Sequence, residues 1–179
     1  METYIALLRG INVSGQKKVP MAELRELLYK EKNLENLTTY IQTGNIIFQS
    51  SEKSEILESI IHKGIKSHFG FDVPIIVKTR NELQMIFDAC PFPKEKKDNS
   101  YFIVLNTIPK RDLLKEVEAI SFENEEVIIK NDALYFHSSI GYGKSKFNMN
   151  IYERKLKVTG TSRNYKTMVK LLSLSADKI

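Results

Sequence analysis

Three cations and two glycines lie close together in residues 9–18, RGINVSGQKK, where the cations are Arg9, Lys17 and Lys18. This segment connects an apolar run that predicts a strand to a run that predicts a helix. A glycine-containing connection of this kind presents backbone N–H groups, which together with cations can hold an anion. It matches neither the phosphate-binding pattern GxxxxGK[ST] nor the dinucleotide pattern GxGxxG. The alternative is an ordinary surface loop whose glycines serve only turn geometry.

A second polar segment, residues 42–45 with sequence QTGN, contains a predicted tight turn of a β-hairpin. In a βαββαβ domain with strand order 4-1-3-2, this turn and the loop after the first strand emerge at the same end of the sheet. We therefore predict one site for a small anionic ligand, a nucleotide or a phosphorylated metabolite. Its predicted ligand-binding residues are Arg9, Asn12, Lys17, Lys18, Gln42 and Asn45.

The elements that would position this site follow from the hydrophobic pattern of the first 78 residues. Continuous apolar runs predict strands, and apolar residues three and four apart predict helices. The predicted order is a strand at 4–8, a helix after Pro20, strands at 38–42 and 46–49, a helix at 54–68 and a strand at 74–77. This βαββαβ order is typical of a ferredoxin-like domain.

The second half repeats most of this order. After a predicted capping box at 79–82 and a charged loop at 94–99, the pattern predicts a strand, a helix and a hairpin. These elements lie at 101–105, after Pro109, and at 126–130 and 133–137, and two helices at 149–157 and 164–174 follow. We predict an α+β fold of two ferredoxin-like (alpha-beta plait) halves packed together, with extra C-terminal helices. The predicted domains are 1–78 and 79–179.

Positive charge is concentrated in the last fifth of the chain. The net charge is +5, but residues 144–179 carry nine Lys and Arg against two acidic residues, so the rest of the chain is slightly acidic. Arg163, Lys166 and Lys170 would share one face of the last predicted helix. Such a surface can bind the phosphates of nucleic acid, or it can be a solvated face that keeps the protein soluble. The predicted basic surface consists of Lys144, Lys146, Arg163, Lys166 and Lys170.

A second glycine turn, residues 141–146 with sequence GYGKSK, resembles the end of the phosphate-binding pattern. The first glycine of that pattern would fall at Ser138, so the match is broken and an NTPase is disfavoured. The two alternatives are a phosphate contact through the backbone and Lys144, or a plain loop closed by glycines.

Residue sets typical of common enzymes are not found in the sequence. No GxSxG pattern provides a hydrolase nucleophile, and the spacing of His62 and His68 does not place them on one helix face for a metal. The single cysteine, Cys90, continues an apolar helix stripe and excludes an intrachain disulfide. We predict no cofactor and no metal. An enzyme using Arg9 and Lys18 as electrostatic stabilisers is a third alternative, although neither loop contains an acidic residue to act as general base.

The N-terminal residues show no signal peptide, and no apolar run approaches the length needed to span a bilayer. We therefore expect a cytoplasmic protein with no membrane partner. The partners that the sequence favours are a small anionic ligand or nucleic acid, and it carries no signal for an oligomeric state.

Four blocks of sequence resemble a known family along essentially the whole chain. They are ALLRGINV at 6–13, KVPM at 18–21, YIQTGN at 40–45 and TSRNYKT at 161–167. On these blocks the chain resembles a bacterial family of uncharacterised proteins, the domain of unknown function numbered sixteen ninety-seven. The resemblance implies two alpha-beta plait halves, and it carries no established activity and no catalytic residue. Ser14 stands where the family often has glycine, and Tyr165 stands where it often has tryptophan.

Overall fold

The first sheet is built from four strands that alternate with two amphipathic helices in the first 79 residues. The computed structural model of the chain describes residues 1–176. The first six elements are β1 Glu2–Leu8, α1 Met21–Leu28, β2 Glu35–Tyr40, β3 Asn45–Ser50, α2 Ser54–Phe69 and β4 Ile75–Thr79. Pro20 directly precedes α1, and Gly70, with a φ of 79°, ends α2 in the left-handed conformation.

The first sheet has the strand order β2-β3-β1-β4, and every neighbouring pair of strands is antiparallel. Alternate residues of β1, Ala6 and Leu8, face the same side of the sheet. They belong to a fully buried core with Leu24 of α1 and Leu57 and Ile61 of α2. The predicted βαββαβ topology and strand order of the first half are confirmed.

Both ends of β2 differ from the sequence prediction. The strand ends at Tyr40, two residues early, because Ile41 takes a φ of 50° in the left-handed region. The turn between β2 and β3 therefore occupies residues 41–44. The strand also begins earlier, at Glu35, where a shift in register accommodates Asn36 with its φ of 50°.

The second sheet repeats the topology of the first. The elements that follow β4 along the chain are α3 Arg80–Asp88, α4 Lys94–Lys97, β5 Tyr101–Leu105, α5 Arg111–Glu118, β6 Glu125–Lys130, β7 Ala133–Ser138, a 3-10 turn at Tyr142–Lys144, α6 Met149–Leu156, β8 Gly160–Asn164 and α7 Tyr165–Ala176. The strand order is β6-β7-β5-β8, again antiparallel throughout. Ile103, Leu105 and Phe136 of the sheet pack with Tyr152 and Leu156 of α6 in its buried core. The prediction of an α+β fold with two ferredoxin-like halves is confirmed.

Strand β8 corrects the prediction that the second half contains only βαββ followed by two helices. Its sequence, GTSRN, has no apolar side chain, so it lacks the pattern by which a strand is recognised. It forms because it pairs antiparallel with the whole length of β5. The second half is therefore a complete βαββαβ unit. A short helix, α4, likewise replaces the charged loop predicted at 94–99, and it begins directly after Pro93.

The chain divides into two compact units, one comprising Met1–Gln84 and the part of α7 from Val169 onward, the other comprising Met85–Met168. The predicted domain limits of 1–78 and 79–179 stay a prediction, and the last three residues of the second predicted domain lie outside the described part of the chain.

The predicted capping box is present at the start of α3, since the Thr79 N–H donates to Glu82 Oε2 at 2.7 Å and the Glu82 N–H donates to Thr79 Oγ1 at 3.1 Å. Among residues 1–176 there is no helix with the length and apolar character needed to cross a bilayer.

The turn between β2 and β3 approaches the end of β1 so closely that only glycine fits at residue 44. Gly44 has a φ of 80°, and a Cβ atom there would lie 2.7 Å from both Leu8 Cβ and Ile11 Cδ1. The Gly44 carbonyl accepts a hydrogen bond from the Leu8 N–H at 2.8 Å. The backbone conformation and the close contact both exclude a side chain at this position.

We expect Gly44→Ala to lower the free energy of unfolding by about 2 kcal/mol or more, because it adds both overpacking and left-handed strain. Gly15→Ala is the matched control, since Gly15 has a similar φ of 75° but no atom within 4 Å of the added Cβ. The control should lose only the strain contribution, about 1 kcal/mol. Urea denaturation measures both variants, and equal losses would contradict the role of the close contact.

Candidate functional site

The segment that connects β1 to α1, residues 9–20, forms a small hairpin that we call the β1–α1 loop. Two backbone hydrogen bonds close it, from the Asn12 N–H to the Lys17 carbonyl at 3.1 Å and from the Gln16 N–H to the Val13 carbonyl at 2.9 Å. The two residues at its tip, Ser14 and Gly15, have φ angles of 49° and 75°. Two successive left-handed residues are typical of a type I′ hairpin turn. The loop therefore has a defined backbone.

The side chain of Asn12 joins the β1–α1 loop to residues 41–44, the β2–β3 turn. Its Nδ2 donates to the Gln42 carbonyl at 2.8 Å and to the Val19 carbonyl at 2.9 Å, and its Oδ1 accepts from the Val19 N–H at 2.8 Å. Asn12 also has a φ of 56°, which asparagine tolerates better than most residues. The loop and the turn thus converge at one end of the first sheet, and one side chain connects them.

A second asparagine, Asn45, holds the β2–β3 turn from within the protein. It is fully buried, and its Nδ2 donates to the Tyr40 carbonyl at 2.9 Å and to Thr43 Oγ1 at 3.2 Å. The amide groups of Asn12 and Asn45 are therefore engaged by the protein itself, where they fix the backbone of the loop and the turn. Direct contact of these two side chains with a ligand stays a prediction.

Arg9, Lys17 and Lys18 place three positive charges on the β1–α1 loop. The two lysines are exposed and Arg9 is half-buried. Lys17 Nζ donates to the Asp72 carbonyl at 2.7 Å and lies 6.0 Å from the centre of the Phe71 ring. An ammonium group has three N–H donors, so this contact positions Lys17 and uses one of them.

A groove in the same unit was not predicted from the sequence. It has a volume of about 440 Å³ and is lined by Glu55, Glu58, Ser59, His62, Asp72, Val73, Pro74 and Ile75. Asp72 Oδ1 lies 3.1 Å from both Lys66 Nζ and His62 Nε2. The hydrogen bond from Lys66 holds the pKa of the Asp72 carboxyl below its ordinary value. The spacing of Glu58, His62 and Lys66, four residues apart on α2, is the sequence signal that could have identified this helix face.

Glu58 in this groove is engaged by the edge of the first sheet. Its Oε1 accepts a hydrogen bond from the Val77 N–H at 2.9 Å. Burial raises the pKa of the Glu58 carboxyl above its ordinary value of 4.5, and the hydrogen bond from Val77 opposes this effect. The raised pKa therefore has a structural cause and is weak support for a general base here.

The predicted basic surface is distributed over several elements. Lys166 and Lys170 are exposed one helical turn apart on α7, and Lys144 and Lys146 are exposed at and after the 3-10 turn. The Lys146 N–H donates to Glu125 Oε1 at 2.6 Å. A carboxylate thus occupies part of the glycine turn at 141–146, which disfavours a phosphate contact there.

Arg163 does not belong to the predicted helix face, because it lies in β8 opposite Phe102. It is only 6% exposed, and its Nη1 donates to Thr161 Oγ1 at 3.0 Å and to the Ser162 carbonyl at 2.8 Å. Burial lowers the pKa of the guanidinium to about 10. The prediction that Arg163 forms part of an exposed basic helix face is wrong, since the polar strand β8 precedes the helix. Lys178, which contributes to the positive charge of this region, lies outside the described residues.

The contacts and burial of Cys90, His62 and His68 give little support to thiol or metal chemistry at these residues. Burial raises the pKa of the Cys90 thiol, which disfavours the reactive thiolate. His68 is paired with Glu23 at 2.6 Å, and His62 is paired with Asp72. In this part of the chain no three His, Cys, Asp or Glu side chains are grouped so that they could hold a metal ion.

Comparisons with known proteins bear on the family and the fold. Residues 1–135 match the model of a family described as "Protein of unknown function (DUF1697)". The conserved bacterial protein SP0830 from Streptococcus pneumoniae has a similar structure, with a TM-score of 0.77 and 23% sequence identity over 97% of this chain and 98% of that one. No curated protein matches the sequence. The resemblance to this family is confirmed over residues 1–135, which contain three of the four sequence blocks.

Asn12→Asp keeps the acceptor for the Val19 N–H but replaces the donor to the Val19 and Gln42 carbonyls by a carboxylate oxygen. We expect a loss of about 1–3 kcal/mol in the free energy of unfolding, because both carbonyls lose this donor and face a negative charge. Asn12→Gly is the comparison, as it removes the side chain without straining a backbone with a φ of 56°. Chemical denaturation measures both variants. An Asn12→Asp protein as stable as the wild type would show that the link between loop and turn is unimportant.

Glu58→Gln preserves an acceptor for the Val77 N–H and removes a half-buried negative charge. Because folding raises the Glu58 pKa above 4.5, this residue favours the folded state at low pH and loses that contribution as the pH rises through its folded pKa. We expect the variant and the wild type to have equal melting temperatures at about pH 4. At about pH 7 the melting temperature of the variant should be roughly 1–3 °C above that of the wild type. Glu26→Gln, which removes an exposed carboxylate on α1, is the control, and its melting temperature should stay close to that of the wild type because such surface charges contribute little to stability. A Glu58→Gln effect independent of pH would argue against this assignment.

Proposed function

The chain belongs to the DUF1697 family of proteins of unknown function, and we propose that it is a binding protein for a small anionic ligand. The ligand carries a phosphate group, as in a nucleotide or a phosphorylated metabolite. The binding surface is formed by the β1–α1 loop and the β2–β3 turn, with Arg9, Lys17 and Lys18 as its charged contacts. The observation that carries the proposal is the Asn12 side chain, which ties the loop bearing these cations to the Gln42 carbonyl.

A fixed backbone supports binding, because less conformational freedom is lost when a ligand is held. Ser14, Lys17 and Ile41 all have positive φ angles, between 44° and 50°. Such conformations cost about 1–3 kcal/mol each and persist only where surrounding contacts enforce them. The hydrogen bonds of Asn12 and Asn45 supply contacts of this kind. Strained backbone clusters at ligand-binding segments in many proteins, which agrees with the proposal.

The distribution of charge also supports an anionic ligand. Residues 9–20 and 41–45 contain three cations and no carboxylate. Helix α1 begins directly after the loop, so the positive end of its dipole lies on the same side, and Glu23 in its first turn offsets part of this potential. Asp72, whose carbonyl holds Lys17, has its own carboxylate paired with Lys66.

Titration of isotope-labelled protein with ATP and with inorganic pyrophosphate, followed by NMR, tests the proposal. We expect amide shifts concentrated in residues 9–18 and 41–45. The double variant Lys17→Gln/Lys18→Gln should bind at least about tenfold more weakly, because it removes two charge-assisted contacts.

The matched control is Lys30→Gln/Lys32→Gln. These exposed lysines lie in the connection from α1 to β2, at the opposite end of the first sheet. The control removes the same charge and should bind both probes like the wild type. Shifts confined to other residues, or equal affinities for the two double variants, would exclude the proposed surface.

Two other functions predicted from the sequence stay predictions. The basic surface predicted to bind nucleic acid no longer includes Arg163, and its remaining residues are Lys144, Lys146, Lys166 and Lys170. A short RNA added in the same titration would then shift residues of α7 and bind more weakly as the salt concentration rises. An enzyme using Arg9 and Lys18 still has no acidic general base in the loop or the turn.

A further inference from the structure

Four strands lie at the edges of the two sheets, and three of them carry a feature that hinders further pairing. In β4 the Val77 N–H donates to Glu58, and in β8 the Gly160 N–H donates to Glu153 Oε1 at 2.8 Å. Strand β2 is interrupted by the register shift at Asn36. Such bulges and side chains protect sheet edges from unwanted partners. In the part of the chain that the structure describes, β6 has neither.

Strand β6 is a regular edge strand with alternating exposure. All six of its residues pair in register with β7, from Glu125 with Ser138 to Lys130 with Ala133. Its exposed residues are Glu126, Ile128 and Lys130, while Val127 and Ile129 are half-buried against the core of the second sheet. One face of this edge is therefore charged at both ends and apolar in the middle.

The turn that joins β6 to β7 determines which backbone groups face outward. The turn has two residues, 131 and 132, so Lys130 and Ala133 form a hydrogen-bonded pair. Because such pairs alternate along an antiparallel ladder, Ile128 also bonds to β7, and the N–H and C=O groups of Val127 and Ile129 point away from it. An added strand would bond to these two residues.

We propose that two copies of the chain associate through β6, antiparallel, with Ile128 opposite Ile128 of the second copy. In this register Val127 lies opposite Ile129 of the second copy, so the outward groups of both strands meet as hydrogen-bonded pairs. Glu126 lies opposite Lys130 of the second copy, and the two-fold symmetry repeats this charge pair. A shift by one residue mismatches the backbone groups, and a shift by two removes both charge pairs. The second sheet of one copy and that of the other then form one continuous eight-stranded sheet.

An apolar groove along β6 offers space for side chains of the second copy. It has a volume of about 290 Å³ and is lined by Leu114, Val117, Glu118, Ile120, Tyr152 and residues 127–129. Residues directly opposite each other in a sheet share one face, so Val127 and Ile129 of the second copy lie on the side of this groove. The pairing also covers Ile128, which is 38% exposed.

The charged residues of β6 already have contacts within the chain. Glu126 is paired with Lys96, and Lys130 Nζ donates to the Ala89 carbonyl at 3.4 Å. All of these charged side chains are at the surface, where such contacts contribute little to stability. Exchanging them for contacts with the second copy therefore costs little.

Sedimentation equilibrium of the full chain over a range of concentrations tests the association. We expect a dimer whose Kd rises at least about tenfold in Ile128→Lys, because two like charges then meet at the symmetry axis. Ile108→Lys introduces the same side chain at another exposed position of this unit, 64% exposed, and should leave the Kd unchanged. A wild type that stays monomeric at millimolar concentration, or a dimer unaffected by Ile128→Lys, would overturn the proposal.

Charge reversal tests the register. Glu126→Lys and Lys130→Glu each place like charges opposite one another and should weaken the dimer, whereas the double variant restores both charge pairs and should recover the wild-type affinity.

Disulfide cross-linking in a Cys90→Ser background gives a second test of the register. Ile128→Cys should form a disulfide between copies, since opposite residues of a non-hydrogen-bonded pair have Cα atoms about 4.5 Å apart. Ile108→Cys is the control, and equal cross-linking at both positions, or a double variant that fails to recover, would overturn the register.

Discussion

The carbonyl of Gly44 accepts a hydrogen bond from the Leu8 N–H at 2.8 Å, at a place where a Cβ atom on residue 44 would lie 2.7 Å from Ile11. This contact fixes the β2–β3 turn against the end of the central strand β1. Because the turn is held there, the Gln42 carbonyl is within reach of Asn12, and the β1–α1 loop gains its attachment. The geometry of the candidate site follows from one backbone contact at which no side chain can be accommodated.

The second unit has the same contact at the corresponding place. The Leu105 N–H donates to the Asp132 carbonyl at 2.9 Å, as Leu8 does to Gly44, and the Asn106 N–H donates to the Thr159 carbonyl at 2.9 Å, as Arg9 does to Pro74 at 3.0 Å. In each unit the end of the central strand is bonded on one side to a hairpin turn and on the other side to the segment before the last strand. The duplication therefore extends to individual backbone hydrogen bonds, although the two halves show no obvious sequence repeat.

The hydrophobic pattern is sufficient to predict the topology of the first unit and the first four elements of the second, because the central strands at 4–8 and 101–105 are continuous apolar runs. It fails for β8, whose polar residues form a strand only through pairing with β5, and Arg163 is misplaced for the same reason. The topology also predicts that the loop and the turn converge. It does not predict that the amides of Asn12 and Asn45 bond within the protein, since this depends on left-handed backbone at single residues such as Ile41.

The two units differ in the segments on which the two proposals rest. The connection after the central strand has twelve residues in the first unit, 9–20, and five in the second, 106–110. A longer loop has more conformational freedom to lose, so it keeps a defined shape only where contacts fix it, as Asn12 does here. The edge strands of the two units also differ, because β6 of the second unit is regular while β2 of the first unit has a register shift at Asn36. The first unit thus has an elaborated loop on a protected sheet and the second a plain loop beside an accessible edge, so ligand binding and association can be tested by separate substitutions.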